Sequence, residues 1–249
     1  MQYVEISEAI KADGLRIVIV KAMPSAWGLA AKAMLEFKSL DFVVAHQIPM
    51  AENPELLAWS GTNSAPVVVW NDEPPINRWD DILLLLERLA PEKRLVPEDP
   101  KGRIQVFGIG HEICGELGFG WNRRLDMMRP VDGAEISEFG RKYGYREADA
   151  AVANARVIAL MGELAAMLKA QKERGSDYLV GQMVTAADFY WAAFSNFVVI
   201  QPHEECPINP AARPMFENTP AEITAAIDPI LIEHRDRIMH TYYKLPLEL

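Results

Sequence analysis

SAPVVVWNDEPPINRWDDILLLLERLAPEKRLVPEDP, residues Ser64 to Pro100, carries the reading of this chain. It opens with Ala65-Pro66 in a turn. Val67 to Trp70 follows, a β-branched run ending on an aromatic, which is strand composition. Asn71 to Pro75 is turn chemistry, and a further short strand is predicted near Pro75-Ile76. After Arg78-Trp79-Asp80-Asp81 the apolar density of Ile82 to Leu89 predicts a helix. Prolines 91, 97 and 100 then punctuate the exit, where a helix cannot continue.

Working outward, Leu15 to Val20 (LRIVIV) is a continuous β-branched run, as in a strand buried on both faces. Residues 1–14 precede it as an extension. Ser25 is a favoured N-cap for a helix from Ala26 to about Leu40, and Phe42 to Gln47 is a second strand. Pro49 to Asn63 is a polar loop with room for a helical turn. Strand, helix, strand, strand and helix give a mixed sheet with helices on its faces.

Past Pro100 the strands stop. Residues 101–128 are predicted helical despite glycines at 102, 108, 110, 115 and 118. Each internal glycine costs a helix about 1 kcal/mol against alanine, so their number suggests a close neighbouring backbone or room for a ligand. Residues 129–146 read as a loop or short helix, and Ala148 to Lys172 as a long helix. Thr185-Ala186-Ala187-Asp188 is a capping box flanked by Val184 and Phe189 at the staple positions. The tail from Gln201 holds five prolines before a predicted helix from Pro229 to Lys244. Packing of that tail over a cleft or over the helices stays open.

The chain has 249 residues, half of them apolar, and a net charge of −10. An acidic chain without clustered Lys and Arg argues against nucleic acid. No apolar run approaches the ~20 residues that span a bilayer, and MQYVEISEAIKADG has no secretory core. Cys114 and Cys206 make no disulfide framework, which points to a reducing cytoplasm. No Cys/His group has zinc spacing, so no metal is expected.

Four stretches resemble one family. The helix exit Glu87 to Pro100 is similar to the E-R-x-P-E-x-K-L-x-P-x-D-P pattern of glutathione transferases. Tyr178-Leu179-Val180-Gly181 before Thr185 to Asp188 resembles that family's Y-L-x-G lead-in to a buried S/T-x-x-D box. Ser25-Ala26-Trp27-Gly28-Leu29 looks like the S-S-W-S-L of Ser-type bacterial members, and Ile113 to Leu117 resembles their I-C-A-E-M. The resemblance covers about residues 15–200. It implies a thioredoxin-like α/β domain over 15–97, after the 1–14 extension, and an all-α C-terminal domain over 101–249 with the proline-rich tail from about 201. This is the glutathione transferase fold.

The resemblance also implies a mechanism. Ser25 would donate a hydrogen bond to the glutathione thiolate at a helix N-terminus, where free amides and the dipole favour the anion. Ser25 read from the sequence alone is simply a cap, and the two roles coexist. Ala65 and a cis Pro66 would grip the cysteinyl part of glutathione. At the next helix start the family keeps an acid and a serine for the glutamyl end, whereas this chain has Arg78 and Trp79. Three alternatives stand there: a rearranged glutathione, another anionic ligand, or an empty site with Arg78 and Trp79 at a surface or dimer contact. Asp81 takes the ammonium if the helix start is shifted.

The second-substrate walls implied by the family are Met23, Trp27, Phe119, Trp121, Arg123 and Arg124. Ordinary packing is the competing reading for each aromatic. Two arginines beside an apolar lining suit an acidic, aromatic electrophile. The expected protein is a homodimer that conjugates glutathione to a small hydrophobic electrophile. The rival is a non-catalytic relative that binds ligands or partners through the same cleft.

Overall fold

The computed structural model describes residues 3–130 and 134–249. Three strands, β1 (Leu15–Val20), β2 (Phe42–Gln47) and β3 (Val67–Trp70), form one sheet in the order β2-β1-β3. β1 pairs parallel with β2, from Leu15 opposite Phe42 to Val20 opposite Gln47, and antiparallel with β3, from Leu15 opposite Trp70 to Val18 opposite Val67. A parallel pair needs a crossover, and α2 (Ala26–Phe37) supplies it.

Alternation along the strands sends side chains to two cores. Leu15, Ile17, Ile19, Val44 and Val68 pack with α2 and with α4 (Trp79–Leu89). Val18, Ala45, Val67 and Val69 face the other way, onto Ala9 and Leu56. Those two residues sit on α1 (Ile6–Lys11) and α3 (Pro54–Ser60). The N-terminal extension is therefore a layer of the fold. Its helix is closed by a Glu5–Glu8 capping box, and the Val4 amide donates to the Val44 carbonyl at 2.9 Å.

The expected strand near Pro75-Ile76 reduces to a single antiparallel bridge between Val68 and Ile76. The reason is local. Pro74 and Pro75 have no N–H to give, and α4 begins with Arg78 at its N-cap, which leaves room for Ile76 to pair with Val68 (2.8 and 2.9 Å) and little more.

The exit Glu87 to Pro100 is a tied knot of polar contacts. Buried Lys38 lies 2.7 Å from Glu87 and donates to the carbonyls of Ala90 (2.8 Å) and Lys93 (2.7 Å). Glu87 also accepts from the Leu95 amide at 2.9 Å. The Leu95 carbonyl in turn accepts from Ala186, at the start of α9 (Ala186–Phe194), at 2.9 Å. Asp99 then caps α5 (Pro100–Cys114) by accepting from Gly102, with Pro100 at the first helical position.

The rest is helical: α5 (Pro100–Cys114), α6 (Phe119–Met127), α7 (Glu138–Lys142), α8 (Glu147–Glu173), α9 (Ala186–Phe194), α10 (Arg213–Glu217), α11 (Ala221–Ala225) and α12 (Pro229–Tyr242), with a 3-10 turn at Ser195–Phe197. The single helix expected over 101–128 is broken between Cys114 and Phe119. A Cβ on Gly118 would meet the Glu112 carbonyl oxygen at 2.6 Å, so the turn is close enough to require glycine. The Asn122 amide holds it, donating to the Gly118 carbonyl at 2.8 Å.

Helix α9 is buried along its whole length. Its box forms as the spacing predicts. Asp188 Oδ2 accepts from the Thr185 amide (2.7 Å) and hydroxyl (2.9 Å), while Oδ1 accepts from the Leu179 amide (2.8 Å). Helix α8 is long and apolar enough to cross a membrane by length and composition, which corrects the expectation that no segment is. It packs instead along α6 and α12, with Ala150, Ala153, Val157, Met161, Leu164 and Leu168 buried on one face.

The tail does both things left open for it. Helix α12 lies on α8 and α9, where Trp191 Nε1 donates to the Leu231 carbonyl (2.9 Å) and the Tyr243 hydroxyl to that of Phe189 (2.7 Å). Beyond it the chain crosses to α2, where Glu248 meets Lys32 at 2.9 Å and its carbonyl accepts from the Tyr3 hydroxyl at 3.2 Å. Met215 and Phe216 reach the cleft described next.

Candidate functional site

Ser25 stands at the N-cap of α2, directly after β1, but its side chain makes no capping hydrogen bond. The hydroxyl is therefore not committed to the helix, and the first amides of α2 have no acceptor within the helix. Ser25 lines a cavity of about 150 Å³ between the β1–α2 turn, the loop after β2, helices α6 and α7, and the tail. Val20, Met23, Pro24, Pro49 and Met50 form one side. Met127, Phe139, Tyr143, Phe197, Met215 and Phe216 form the other, with Gln47, Arg124 and Lys142 as the polar groups.

Of the expected wall residues, Met23 and Arg124 line this cavity. Trp27 stands behind Arg124, its ring centroid 4.3 Å from the guanidinium carbon. Its own Nε1 is used on the Cys114 carbonyl at 2.9 Å, and its ring meets Phe194 edge-on at 4.6 Å. Tyr143 lies on Arg124 at 4.3 Å as well, and Trp121 at 5.8 Å. Burial lowers the pKa of the Arg124 guanidinium from its ordinary value, with Tyr143 opposing the shift. It remains a cation, since arginine does not deprotonate in proteins.

The other three expected residues have structural surroundings. Phe119 is fully buried against Trp191, edge to face at 5.3 Å. Trp121 packs toward Leu125, Met128 and Tyr145. Arg123 is fully buried, donating Nε to the Phe197 carbonyl (3.0 Å) and Nη1 to Asp126 (2.7 Å). Arg123 and Arg124 are thus neighbours in sequence with different work: one braces a turn, the other faces the cavity.

Ala65-Pro66 is a cis peptide at the entry to β3. Neither residue lines the cavity, but its wall reaches them. Gln47 Nε2 and Lys142 Nζ both donate to the Asn63 carbonyl, at 3.2 and 3.3 Å, two residues before Ala65.

The start of α4 departs furthest from the family pattern. Arg78 is 69% exposed and folds onto its own helix, with Nη2 2.8 Å from Asp80 and Nε 3.5 Å from Asp81. The hydrogen bond from Arg78 lowers the Asp80 pKa. Trp79 turns inward, meeting Tyr190 edge-on at 5.5 Å and Phe107 at 6.2 Å. Gly110 makes the room: a Cβ there would lie 2.6 Å from Trp79 Cζ3. At this point the small residues of α5 admit an aromatic ring, rather than a backbone or a ligand.

The sequence reading missed Gln47, Pro49, Met50, Phe139, Lys142, Tyr143, Phe197, Met215 and Phe216. For α7 a signal was present. Phe139 and Tyr143 are four apart, the spacing of one helix face, and their rings meet edge-on at 4.9 Å. The others come from distant segments, and only the fold gathers them.

No protein-family model matches the sequence, and no curated protein matches it. Solved structures do match in shape. A glutathione S-transferase domain-containing protein from Marinobacter aquaeolei VT8 superposes with a TM-score of 0.66 at 15% identity, over 92% of this chain and 100% of that one. A glutathione S-transferase from Methylobacterium radiotolerans JCM 2831, in complex with glutathione sulfonate, gives 0.61 at 16% identity, over 92% of each chain. One from Methylobacillus flagellatus KT with GSH bound gives 0.60 at 12% identity, over 88% and 98%. The chain has the glutathione transferase fold: a small mixed sheet with helices, followed by an all-helical part.

Proposed function

We propose that the chain is a glutathione-dependent transferase in which Ser25 steadies the sulfur. The observation that carries this is the uncommitted Ser25 hydroxyl at the start of α2, on the wall of a largely apolar cavity. In the fold's neighbours solved with glutathione sulfonate or GSH, the ligand is a thiol tripeptide or its analogue. Glutathione brings its own thiol, so the protein needs no nucleophile. The thiol loses its proton to solvent, and the Ser25 hydroxyl and α2 amides stabilise the sulfur anion. The sulfur pair then forms a C–S bond to an electrophilic carbon, and the leaving group departs with the electrons of the broken bond. Water exclusion by Phe139, Phe197 and Phe216 strengthens each of these contacts.

Ala65, Pro66 and Asp81 at the α4 start are the proposed grip on the rest of the tripeptide, with Arg78 repelling its ammonium. Trp79 is excluded from that grip, since it is packed against Tyr190 and Gly110. This departure favours a second reading, a relative that binds in the cleft without turnover. A domain seam at 97–101, a cytoplasmic setting and a symmetric homodimer belong to the same proposal. The apolar groove between α5 and α8, beside Ile104, which is 72% exposed, supports the dimer. Sedimentation at 27.9 kDa at micromolar concentration would overturn the dimer.

The experiment is retention on immobilised glutathione, elution with free glutathione, and an assay of the eluate with a panel of aryl halides and conjugated enones. Retention with turnover that falls in Ser25→Ala supports the transferase. Retention without turnover supports a non-catalytic glutathione binder, and no retention overturns the transferase.

A further inference from the structure

The polar groups of the cavity are unusual for this chain. It carries ten more acids than bases, yet among the described residues the cavity is lined by two cations, Arg124 and Lys142, and by no aspartate or glutamate. Arg124 has no acid within salt-bridge distance and no hydrogen-bond acceptor among the described residues, unlike its neighbour Arg123, which has both. Its nitrogens are not sealed from solvent, whereas Arg123 Nη2 is.

Lys142, at the mouth, has among the described residues only the Asn63 carbonyl and the Tyr143 ring, 5.6 Å away. A half-buried guanidinium without a counter-ion is costly, and ring faces return only part of that cost. The rings hold the guanidinium between Trp27 and Tyr143, which fixes its plane and leaves its donors for a ligand. A carboxylate takes two parallel N–H bonds from such a fork. The methionine and phenylalanine side chains around it suit an apolar body.

We propose that this cleft takes an apolar monocarboxylate as its second substrate, with Arg124 as the residue that selects the carboxylate and Lys142 as a guide at the entrance. The word substrate rests on the transferase reading above; the binding itself does not.

The test uses trans-cinnamate and its neutral isostere trans-cinnamamide as probes, with calorimetry and the fluorescence of Trp27 and its neighbours as readouts, in the absence of glutathione. The parent is expected to bind cinnamate at least ~10-fold more tightly than cinnamamide. Arg124→Gln should erase that preference while leaving cinnamamide binding unchanged. Arg124→Lys should keep part of the preference, because it keeps the charge and loses the fork. If Arg124→Gln fails to fold, the parent comparison and Arg124→Lys still decide.

Equal binding of acid and amide by the parent overturns the proposal, as does a preference that survives Arg124→Gln. Repeating the titration in roughly 10 mM glutathione, which saturates any site with a Kd of about 1 mM or tighter, separates this idea from the transferase reading. Simultaneous binding supports a second-substrate site. Competition would assign Arg124 to a carboxylate of glutathione itself and overturn the proposal. A chain that ignores glutathione but prefers cinnamate would sink the transferase reading and keep the anion selectivity.

Discussion

Replacing Gly110 by alanine would add a Cβ 2.6 Å from Trp79 Cζ3, 2.9 Å from Cη2 and 3.4 Å from Tyr190 Cε2. Carbon atoms in contact prefer 3.5–4.0 Å, so the ring must move by about 1 Å. Trp79 cannot swing freely, since Tyr190 and Phe107 hold it. Overpacking of this kind costs about 1–3 kcal/mol. Alanine for glycine inside α5 returns about 1 kcal/mol of helix propensity. The net expectation is a loss of up to about 2 kcal/mol. In a Trp79→Ala background the clash disappears and the same change should stabilise by about 1 kcal/mol. Gly162, in α8 with nothing within 4 Å of its added Cβ, is the control and should also gain about 1 kcal/mol. Urea unfolding of the four variants and the parent reads all of these free energies. Stabilisation of the parent by Gly110→Ala to the same extent as Gly162→Ala would refute the wedged-ring account.

Three further outcomes follow from the geometry. Lys38→Met leaves Glu87 and the carbonyls of Ala90 and Lys93 without their buried cation, so stability should fall by about 3–5 kcal/mol, and a melt within 1 °C (roughly 0.3 kcal/mol) of the parent would contradict it. His46, stacked on Tyr3 at 3.6 Å, has its pKa lowered from 6.5 to about 4, chiefly by burial and then by Lys21. The unfolded chain thus binds a proton that the folded chain refuses, so stability falls as pH drops from about 6.5 toward 4; His46→Gln should flatten that part of the urea-midpoint profile, and an unchanged slope counts against it. Arg78→Glu should tighten glutathione about three- to tenfold by calorimetry, the scale of exchanging one exposed repulsion for an attraction, whereas weaker binding would make Arg78 a contact to a ligand carboxylate.

The three long strands and the exit from Glu87 were legible because each is set by neighbours in sequence. β-branched runs make buried strands, and Glu87 with the prolines marks the exit after α4, while Lys38, which ties it, comes from the end of α2. The Thr185 to Asp188 box is equally local. What escaped the reading is nonlocal. Trp79 stands where the family places a hydroxyl, and only the fold shows that Gly110 on another helix admits its ring. Arg123 and Arg124 are adjacent, and the sequence does not say which one points to the core. Ser25 has the composition of a cap, yet its hydroxyl caps nothing. The cavity wall joins residues from Val20 to Phe216, a set that no periodicity marks.

The most direct test of the account is the ionisation of bound glutathione. Thiolate absorbance in the ultraviolet, followed against pH with the protein in excess, reports the pKa of the bound thiol. The account predicts a value at least one unit below that of free glutathione, since one charge-assisted hydrogen bond is worth about 1.5–3 kcal/mol, and a return toward the free value in Ser25→Ala. Because Ser25 makes no cap bond, the variant should keep its stability to within about 0.5 kcal/mol. A bound thiol that titrates like free glutathione, or a lowered pKa that survives Ser25→Ala, would contradict the assignment of Ser25 to the sulfur.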